Sequence, residues 1–203
     1  MELEQVIANF TKNNFKTTYF ATAEEAAVYL DKEIDNTTVG FGDSETLLGM
    51  GMVERLSKHN VEVLHPMLSR RQGGDFQQTA LACLHTEIFL TSVNAASETG
   101  CMVNIDARGN RIAGSLFGHK KVYFVFGVNK LRPTLEEAVA RARNIASPLN
   151  VIRHELKTPC AVKKDKCYDC SSPDRLCNAL VVYYKKMKAM EMEVVIIGEA
   201  LGY

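Results

Sequence analysis

Up to Asn150, segments patterned as strands alternate with segments patterned as helices, and this alternation constrains the fold more than any other feature. Short β-forming runs, among them residues 16–20 and 121–126, are separated by segments whose apolar residues recur at helical spacing. Residues 121–126 alternate little, which predicts a buried central strand. We also predict one helix over residues 47–56 and a loop over residues 65–75. The pattern predicts an α/β fold, a mostly parallel sheet covered by helices on both faces.

Two of the predicted helices begin at capping motifs, in which side chains satisfy free N–H groups of the first turn. Thr22 with Glu25 opens one helix, and Thr134 with Glu137 opens another. The second helix carries apolar residues at core-facing spacing, which indicates that it packs against the sheet. This stripe consists of Leu135, Ala138, Val139, Ala142, Ile145 and Ala146.

The character of the chain changes beyond Asn150, where it becomes polar and cysteine-rich with no clear period. Two closing strands are then predicted over residues 179–184 and 193–197. We see no internal repeat, low-complexity run or linker. The simplest organisation is a single domain over residues 1–203, with a cysteine-rich excursion at residues 150–180 that closes back onto the sheet.

The balance of charged residues indicates which kinds of partner the chain is not suited to bind. The 24 Lys and Arg residues balance 24 Asp and Glu residues, which argues against a dedicated nucleic-acid-binding protein. No apolar run approaches the roughly 18 residues of a membrane helix, and the acidic first residues lack the layout of a signal peptide. We therefore expect a cytoplasmic protein whose six cysteines are reduced thiols or metal ligands rather than disulfides.

A glycine-bearing turn follows the strand predicted at residues 37–41 and opens the next helix. Glycines allow close approach of a ligand, and a helix N-terminus offers free N–H groups to an anion. The alternative is a tight turn with Ser44 as N-cap, and Glu45 disfavours a phosphate dianion there. The turn lacks the spacing of a P-loop or a dinucleotide fingerprint. Its candidate ligand-binding residues are Gly40, Gly42, Asp43, Ser44 and Thr46.

A second polar stretch, residues 94–111, begins just after a predicted strand, where open α/β sheets bind ligands. Arg111 suits a carboxylate or phosphate because its fork bonds both oxygens, and Glu98 or Asp106 is the candidate catalytic base. The alternative is that these side chains only make turns and caps. The candidate ligand-binding residues here are Asn94, Gly100, Asn104, Asn110 and Arg111.

These motifs, taken together, resemble the lactate-utilisation (LUD) domain family, which includes lactate utilisation protein C. The resemblance covers nearly the whole chain and is carried by residues 40–47, 92–95, 98–100, 104–106, 109–111, 127–130, 158–160 and 172–178. It implies a fold similar to the ribose-5-phosphate isomerase, glucosamine-6-phosphate deaminase and CoA-transferase group. It also implies a role beside iron–sulfur subunits in oxidising L-lactate to pyruvate. In the glycine turn, Asp43, Ser44 and Glu45 replace the Thr-Gly-Ser of the wider group.

Four cysteines of the excursion, Cys160, Cys167, Cys170 and Cys177, are spaced Cys-x6-Cys-x2-Cys-x6-Cys. Four thiols so close in sequence suit a tetrahedral zinc or a 4Fe–4S cluster, and a metal would hold together a segment that lacks apolar residues. The spacing is neither a standard zinc-finger nor a ferredoxin pattern. Free thiols and a redox pair of Cys167 with Cys170 are the alternatives.

Three functional hypotheses follow, and they leave open whether the chain is catalytic alone. The first is a component of an L-lactate or other 2-hydroxy acid oxidation system with iron–sulfur partner subunits, since the sequence contains no flavin or nicotinamide motif. The second is an acid–base enzyme acting on a small anionic metabolite. The third is a non-catalytic ligand-binding module with a structural metal. The sequence also leaves open whether the chain forms a homo-oligomer. Lys130 follows a predicted strand, and its side chain is either solvated or directed to the ligand crevice.

Overall fold

Residues 2–203, which the computed structural model describes, form ten β-strands and ten α-helices; Met1 of the predicted domain lies outside them. The strands are β1 (Lys16–Phe20), β2 (Thr38–Phe41), β3 (Glu62–Leu64), β4 (Ile88–Thr91), β5 (Ala95–Ser97), β6 (Met102–Asp106), β7 (Lys121–Gly127), β8 (Leu131–Arg132), β9 (Ala179–Tyr183) and β10 (Glu191–Ile197). The helices are α1 (Leu3–Lys12), α2 (Ala23–Glu33), α3 (Glu45–Gly49), α4 (Met52–Leu56), α5 (Pro66–Arg71), α6 (Phe76–Cys83), α7 (Asn110–Leu116), α8 (Leu135–Arg141), α9 (Ser147–Arg153) and α10 (Pro159–Lys163). None of these helices has the length and hydropathy needed to cross a membrane.

The larger sheet has six parallel strands in the order β1-β10-β7-β4-β2-β3. This confirms the predicted α/β fold with a mostly parallel sheet. Strand β7 lies inside the sheet between β10 and β4, as its apolar composition predicts. The last strand, β10, does not close the sheet at an edge but inserts between β1 and β7.

Helices cover both faces of this sheet, and the alternation of side chains along β7 shows how. Phe124 and Phe126 point to one face, where they pack with residues of α1 in one apolar cluster. Tyr123 and Val125 point to the other face, where they pack with residues of α2. Successive residues of a strand face opposite sides, so burial on both faces requires the continuous apolar run seen in the sequence.

A second, four-stranded sheet in the order β8-β5-β6-β9 was not predicted. Strand β6 pairs antiparallel with β5 and β9, whereas β5 and β8 run parallel. Strands β5 and β8 have three and two residues, too few to show a period of two in the sequence. The cysteine-rich excursion is followed by β9, so the chain returns first to this small sheet and then to the large one.

Two local predictions are wrong. The helix predicted over residues 47–56 is split into α3 and α4 by Gly51, whose φ of 64° is left-handed and incompatible with a continuing helix. The segment predicted as a loop over residues 65–75 contains α5. His65 caps that helix by accepting a hydrogen bond from Leu68 N, and Pro66 occupies the first turn, where a missing N–H costs nothing.

The apolar stripe predicted between Leu135 and Ala146 is interrupted by a π-helical turn over Ala142–Ala146. A π-turn carries more residues than an α-turn, so it shifts the register of the stripe. Ile145 is therefore 41% exposed rather than packed on the sheet. The same turn joins α8 to α9 and helps to set the direction in which α9 presents Arg153.

Candidate functional site

A cavity of about 390 Å³ lies beside residues that follow the carboxyl ends of β2, β4 and β6. Asp43 comes from the glycine turn after β2, Asn94 from the turn after β4, and Asp106 from the end of β6. Helices α5, α6, α7 and α9 and the segment after α9 contribute other wall residues. Ligands of open α/β sheets bind outside the carboxyl ends of their strands, so this is the expected place for a site.

The cavity has a positive electrostatic character because basic side chains outnumber carboxylates. The basic residues are Arg70, Arg108, Arg111, Arg153 and His154. The carboxylates are Asp43 and Asp106. Burial and the charge of the neighbouring Arg153 lower the pKa of His154, which favours its neutral form. Four guanidinium groups against two carboxylates, with Glu45 paired to Arg153, leave an excess of positive charge that favours an anionic ligand.

Arg153 is fixed in orientation by its neighbours. Its Nη1 donates to the carboxylate of Glu45, and its Nη2 donates to Asn150 Oδ1 at 3.1 Å. This pairing also settles the role of Glu45, whose negative charge is matched by Arg153 instead of repelling an anion at the glycine turn. A guanidinium held by two partners is preorganised for a ligand.

Asp43 is the carboxyl group of the cavity best suited to proton transfer. Burial raises its pKa, although a hydrogen bond from Met67 N at 3.2 Å and the charge of Arg111 act in the opposite direction. His65 Nδ1 lies 3.5 Å from Asp43 Oδ1, but that nitrogen accepts a hydrogen bond from Leu68 N. Burial also lowers the pKa of His65 to about 4. His65 is therefore neutral, and Asp43 has no ion pair with it.

Asp106 has a different role, because its oxygens are occupied by backbone donors. Oδ2 accepts hydrogen bonds from Arg111 N and Ile112 N at 3.1 and 3.2 Å, and Oδ1 accepts from Ala107 N at 2.7 Å. These bonds fix the start of α7, which is the turn-and-cap role that the sequence offered as an alternative. Arg111 in turn donates to the carbonyl oxygen of Ile105, so its guanidinium is held at the cavity wall.

The structure brings together most of the residues singled out in the sequence. Those lining the large cavity are Asp43, Asn94, Asp106, Asn110 and Arg111. Ser44 and Thr46 line a smaller adjoining cavity of about 50 Å³. Asn104 is fully buried behind them and bridges two backbone groups: Asn94 N donates to its Oδ1, and its Nδ2 donates to Ser92 O.

The remaining candidates lie outside both cavities. A side chain at Gly40 would collide with Thr86 and Cys83, and one at Gly42 would crowd Thr91 and Arg111, so both glycines permit close packing beneath the site. Glu98 and Gly100 lie against α1. The side chains of Asn9 and Asn13 donate to their carbonyl oxygens at 2.7 and 2.9 Å, which places these two residues on another side of the molecule.

Lys130 lines the smaller cavity and is 4% exposed. Its Nζ donates to Ser92 Oγ at 3.0 Å and to Thr46 Oγ1 at 3.3 Å. Burial, together with the charges of Arg141 and Arg111, lowers its pKa to about 7. The position after β7 was the only sequence signal for this residue. Arg70 and Arg153 had none, because the helices that carry them are distant in sequence.

The four cysteines of the excursion lie outside the cavity and form no disulfide bond. Cys160 lies in α10, 3.2 Å from Thr158 Oγ1, and Cys167 Sγ accepts a hydrogen bond from Asp169 N. Burial raises the pKa of Cys177, and the charges of Cys167 and Cys170 add to this effect. Across residues 2–203, no three His, Cys, Asp or Glu side chains are gathered as metal ligands.

Comparisons with known proteins agree with this architecture. A crystal structure of a DUF162 family protein from Deinococcus radiodurans is similar, with a TM-score of 0.51 and 15% identity over 97% of this chain and 96% of that one. At that identity the similarity shows the fold alone. No curated protein matches the chain. The family model of the LUD domain matches residues 3–197, and the chain therefore belongs to the LUD domain family.

Proposed function

We propose that the arginine-lined cavity binds the carboxylate of a small 2-hydroxy acid, of which L-lactate is the simplest chiral example. The chain then serves in its oxidation in the cytoplasm, beside partner chains that carry iron–sulfur clusters. The observation that carries this proposal is the excess of arginine over carboxylate around the cavity. A guanidinium fork donates to both oxygens of a carboxylate at once.

Arg111 and Arg153 are the residues assigned to the carboxylate. Arg111 lies on α7 and Arg153 lies on α9, and other groups fix the position of each guanidinium. Such support fixes the direction of their free N–H groups before the ligand arrives, which lowers the entropic cost of binding. Asn94 and Asn110 complete the polar lining and are donors and acceptors for the hydroxyl group.

Asp43 is assigned to the hydroxyl proton, since burial shifts its pKa toward that of a proton acceptor. Oxidation of a 2-hydroxy acid breaks the O–H and C2–H bonds and forms a C=O bond. The hydroxyl proton passes to Asp43, and the second proton passes to solvent. The two electrons would have to leave with a redox partner, and iron–sulfur clusters on partner chains would supply that one-electron chemistry.

We also propose that Cys160, Cys167, Cys170 and Cys177 hold a metal centre, either zinc or a 4Fe–4S cluster. The donor chemistry suits both, and because the thiols are not gathered as ligands in residues 2–203, the segment would close around the metal on binding. Segment 164–178 contains no helix or strand, so a metal would supply cohesion that packing does not. Zinc would act structurally there, and a cluster would supply one-electron chemistry.

Metal content tests this part of the proposal directly. On chain purified without oxygen, we expect a stoichiometric amount of zinc, or of iron with acid-labile sulfide. Cys170→Ser removes one ligand, so it is expected to lower metal content and to speed proteolysis within residues 160–177. Cys101→Ser, outside the quartet, serves as the control. Metal-free parent chain whose proteolysis matches that of Cys170→Ser would contradict the proposal and leave free thiols or a redox pair.

A second candidate function is favoured by the size of the cavity. Its volume of about 390 Å³ exceeds what a three-carbon acid fills, and Arg70 and Arg108 add cations at its wall. These features suit a small phosphorylated metabolite, on which Asp43 would act as an acid–base group without redox chemistry. In that case Arg111 binds phosphate rather than carboxylate.

Calorimetric titration separates the two candidates. L-Lactate, its uncharged amide lactamide, and glycerol 3-phosphate are titrated separately into the chain at constant ionic strength. The proposal predicts saturable binding of lactate and loss of binding with lactamide, because the guanidinium groups then have no carboxylate to pair with. Binding of glycerol 3-phosphate without binding of lactate would favour the second candidate, and binding of neither anion would contradict both.

A further inference from the structure

We propose that Lys130 is a carbonyl-reactive amine that condenses with a small 2-oxo acid or aldehyde entering from the arginine-lined cavity. The inference concerns the smaller cavity, to which the proposed oxidation gives no role. It rests on the proposed function only where the carbonyl compound also carries a carboxylate, because Arg111 and Arg153 then hold that group.

The surroundings of Lys130 differ from those of a structural lysine. Its Nζ contacts the hydroxyl groups of Ser92 and Thr46, and among the described residues no carboxylate pairs with it. Lys121 shows the contrast within the same chain: it pairs with Glu193 at 2.7 Å, and its pKa is raised. A buried lysine without a counter-ion is rare in folded proteins.

Two neighbouring cations favour the neutral, nucleophilic form of this amine. Burial and the charges of Arg141 and Arg111 all act against the ammonium ion. Desolvation beside another cationic group is the means by which a lysine becomes a nucleophile near neutral pH. The hydroxyl groups of Ser92 and Thr46 accept hydrogen bonds from an ammonium and donate them to a neutral amine, so neither form loses its partners.

The size of the smaller cavity fits one functional group. Its volume of about 50 Å³ has room for a few small atoms beside Nζ, since a cavity needs about 10–15 Å³ to hold one water molecule. It shares Asp43, Asn94, Arg111 and Arg153 with the larger cavity. A ligand whose carboxylate lies at the arginines therefore reaches Lys130 with its carbonyl carbon, while its remaining atoms stay in the larger space.

The chain segment around Gly202 covers Lys130. A Cβ atom at Gly202 would lie 3.3 Å from Lys130 Nζ and 2.8 Å from Thr46 Oγ1, and the φ of Gly202 is 62°. Leu201 N donates to Asn129 Oδ1 at 3.1 Å, which fixes this cover beside β7. A cover that excludes bulk water protects an imine from hydrolysis.

The condensation balances without a further reactant. The nitrogen of the neutral amine attacks the carbonyl carbon and forms a C–N bond. Both amine protons move to the carbonyl oxygen, which leaves as water, and a C=N bond remains. The hydroxyl groups of Ser92 and Thr46 lie within hydrogen-bond distance of Nζ and are placed to relay these protons.

Reductive trapping tests the inference on the full chain. The chain is incubated with pyruvate or with propanal, sodium cyanoborohydride is added, and the modified residues are located by peptide mass spectrometry. We expect the adduct at Lys130 to form at lower concentrations of either carbonyl compound than the adducts at exposed lysines. The adduct is lost in Lys130→Met and is retained in Lys120→Arg, a control at a lysine whose side chain is 73% exposed.

The outcomes separate this inference from the proposed function. Trapping of propanal but not pyruvate at Lys130 supports the reactive amine and contradicts the carboxylate site. Binding of pyruvate by calorimetry, with adducts only at exposed lysines, overturns the inference while leaving the carboxylate site intact. Absence of an adduct at Lys130 from both compounds also overturns it.

Trace acetylation of the unmodified chain gives a second measurement that needs no variant and no ligand. The rate at Lys130 is compared with that at Lys120 across pH. Lys130 is expected to reach half of its maximal reactivity near pH 7, in line with its pKa of about 7. A profile that rises only together with that of Lys120 overturns the inference.

Discussion

Glu193→Gln is expected to lower the free energy of unfolding by about 3 kcal/mol, a large part of the stability of a domain of this size. Glu193 lies on β10 inside the parallel sheet and is fully buried. Lys16 and Lys121 contact its Oε2 at 3.0 and 2.7 Å. Tyr29 and Thr18 donate to its Oε1 at 2.7 and 3.2 Å.

The size of this effect follows from what the substitution leaves behind. A glutamine cannot neutralise Lys121, whose side chain is 15% exposed, and removing one partner of a buried ion pair costs about 3–5 kcal/mol. Lys16 is 54% exposed on its side chain and regains water, so we expect the lower end of that range.

The charged cluster around Glu193 also makes the stability of the fold depend on pH. Burial raises the pKa of Glu193, but hydrogen bonds from Lys121, Tyr29 and Lys16 outweigh it, and the pKa lies below its ordinary value. A carboxyl group with a lowered pKa stabilises the fold fully above its unfolded pKa of about 4.3 and loses that contribution as the pH falls through the folded pKa. The parent is therefore expected to lose its advantage over Glu193→Gln in this acid range.

Urea denaturation of both variants measures the effect. Glu191→Gln is the matched control, because Glu191 lies on the same strand and is exposed, and its change is expected to stay within about 0.5 kcal/mol. If Glu193→Gln unfolds at the same urea concentration as Glu191→Gln, the charged cluster does not stabilise the sheet.

Arg111→Ala is expected to raise the Kd for L-lactate about 10- to 100-fold, the worth of charge-assisted hydrogen bonds to a carboxylate. Arg111 Nε lies 3.8 Å from Asp106 Oδ2, and its Nη2 donates to Ile105 O. The guanidinium thus has a fixed position at the cavity wall. The contacts that cap α7 use the backbone N–H of Arg111 rather than its side chain, so the fold is expected to persist.

Calorimetric titration of Arg111→Ala and Arg143→Ala measures this difference. Arg143 is the control because its half-exposed side chain pairs with Asp169 at 3.6 Å, outside the cavity. We expect the Kd of Arg143→Ala to match that of the parent. An unchanged Kd in Arg111→Ala, with thermal unfolding showing an intact fold, would remove Arg111 from the site.

The large sheet could be predicted because its strands carry the physical signal on which prediction depends. A strand buried on both faces needs a continuous apolar run, and β7 and β10 both provide one. The small sheet could not be assembled from the sequence, because β5 and β8 have only three and two residues, although its strand β9 lies within the strand predicted over residues 179–184. The π-turn at Ala142–Ala146 left no trace either, because its residues continue the helical spacing of α8.

The candidate site could be predicted only where its residues follow strand ends. Asp43 and Asn94 follow β2 and β4, whose carboxyl ends lie at one edge of the parallel sheet, and Asp106 joins them from the end of β6 in the small sheet. Arg153 lines the same cavity from α9, a helix that was not predicted because the chain beyond Asn150 is polar and has no clear period. The burial of Lys130 depends on Ser92, Thr46 and Gly202, which lie far from it in sequence, and no local pattern reports such a contact.

The most direct measurement of the anion site is a titration of isotope-labelled chain with L-lactate, followed in the NMR signals of the arginine Nε–H groups. Arg111 and Arg153 line the cavity, whereas Arg143 lies outside it. The account predicts saturable shifts for Arg111 and Arg153 and none for Arg143, with no shifts when lactamide replaces lactate. Unchanged signals of Arg111 and Arg153 at high lactate concentration would contradict it.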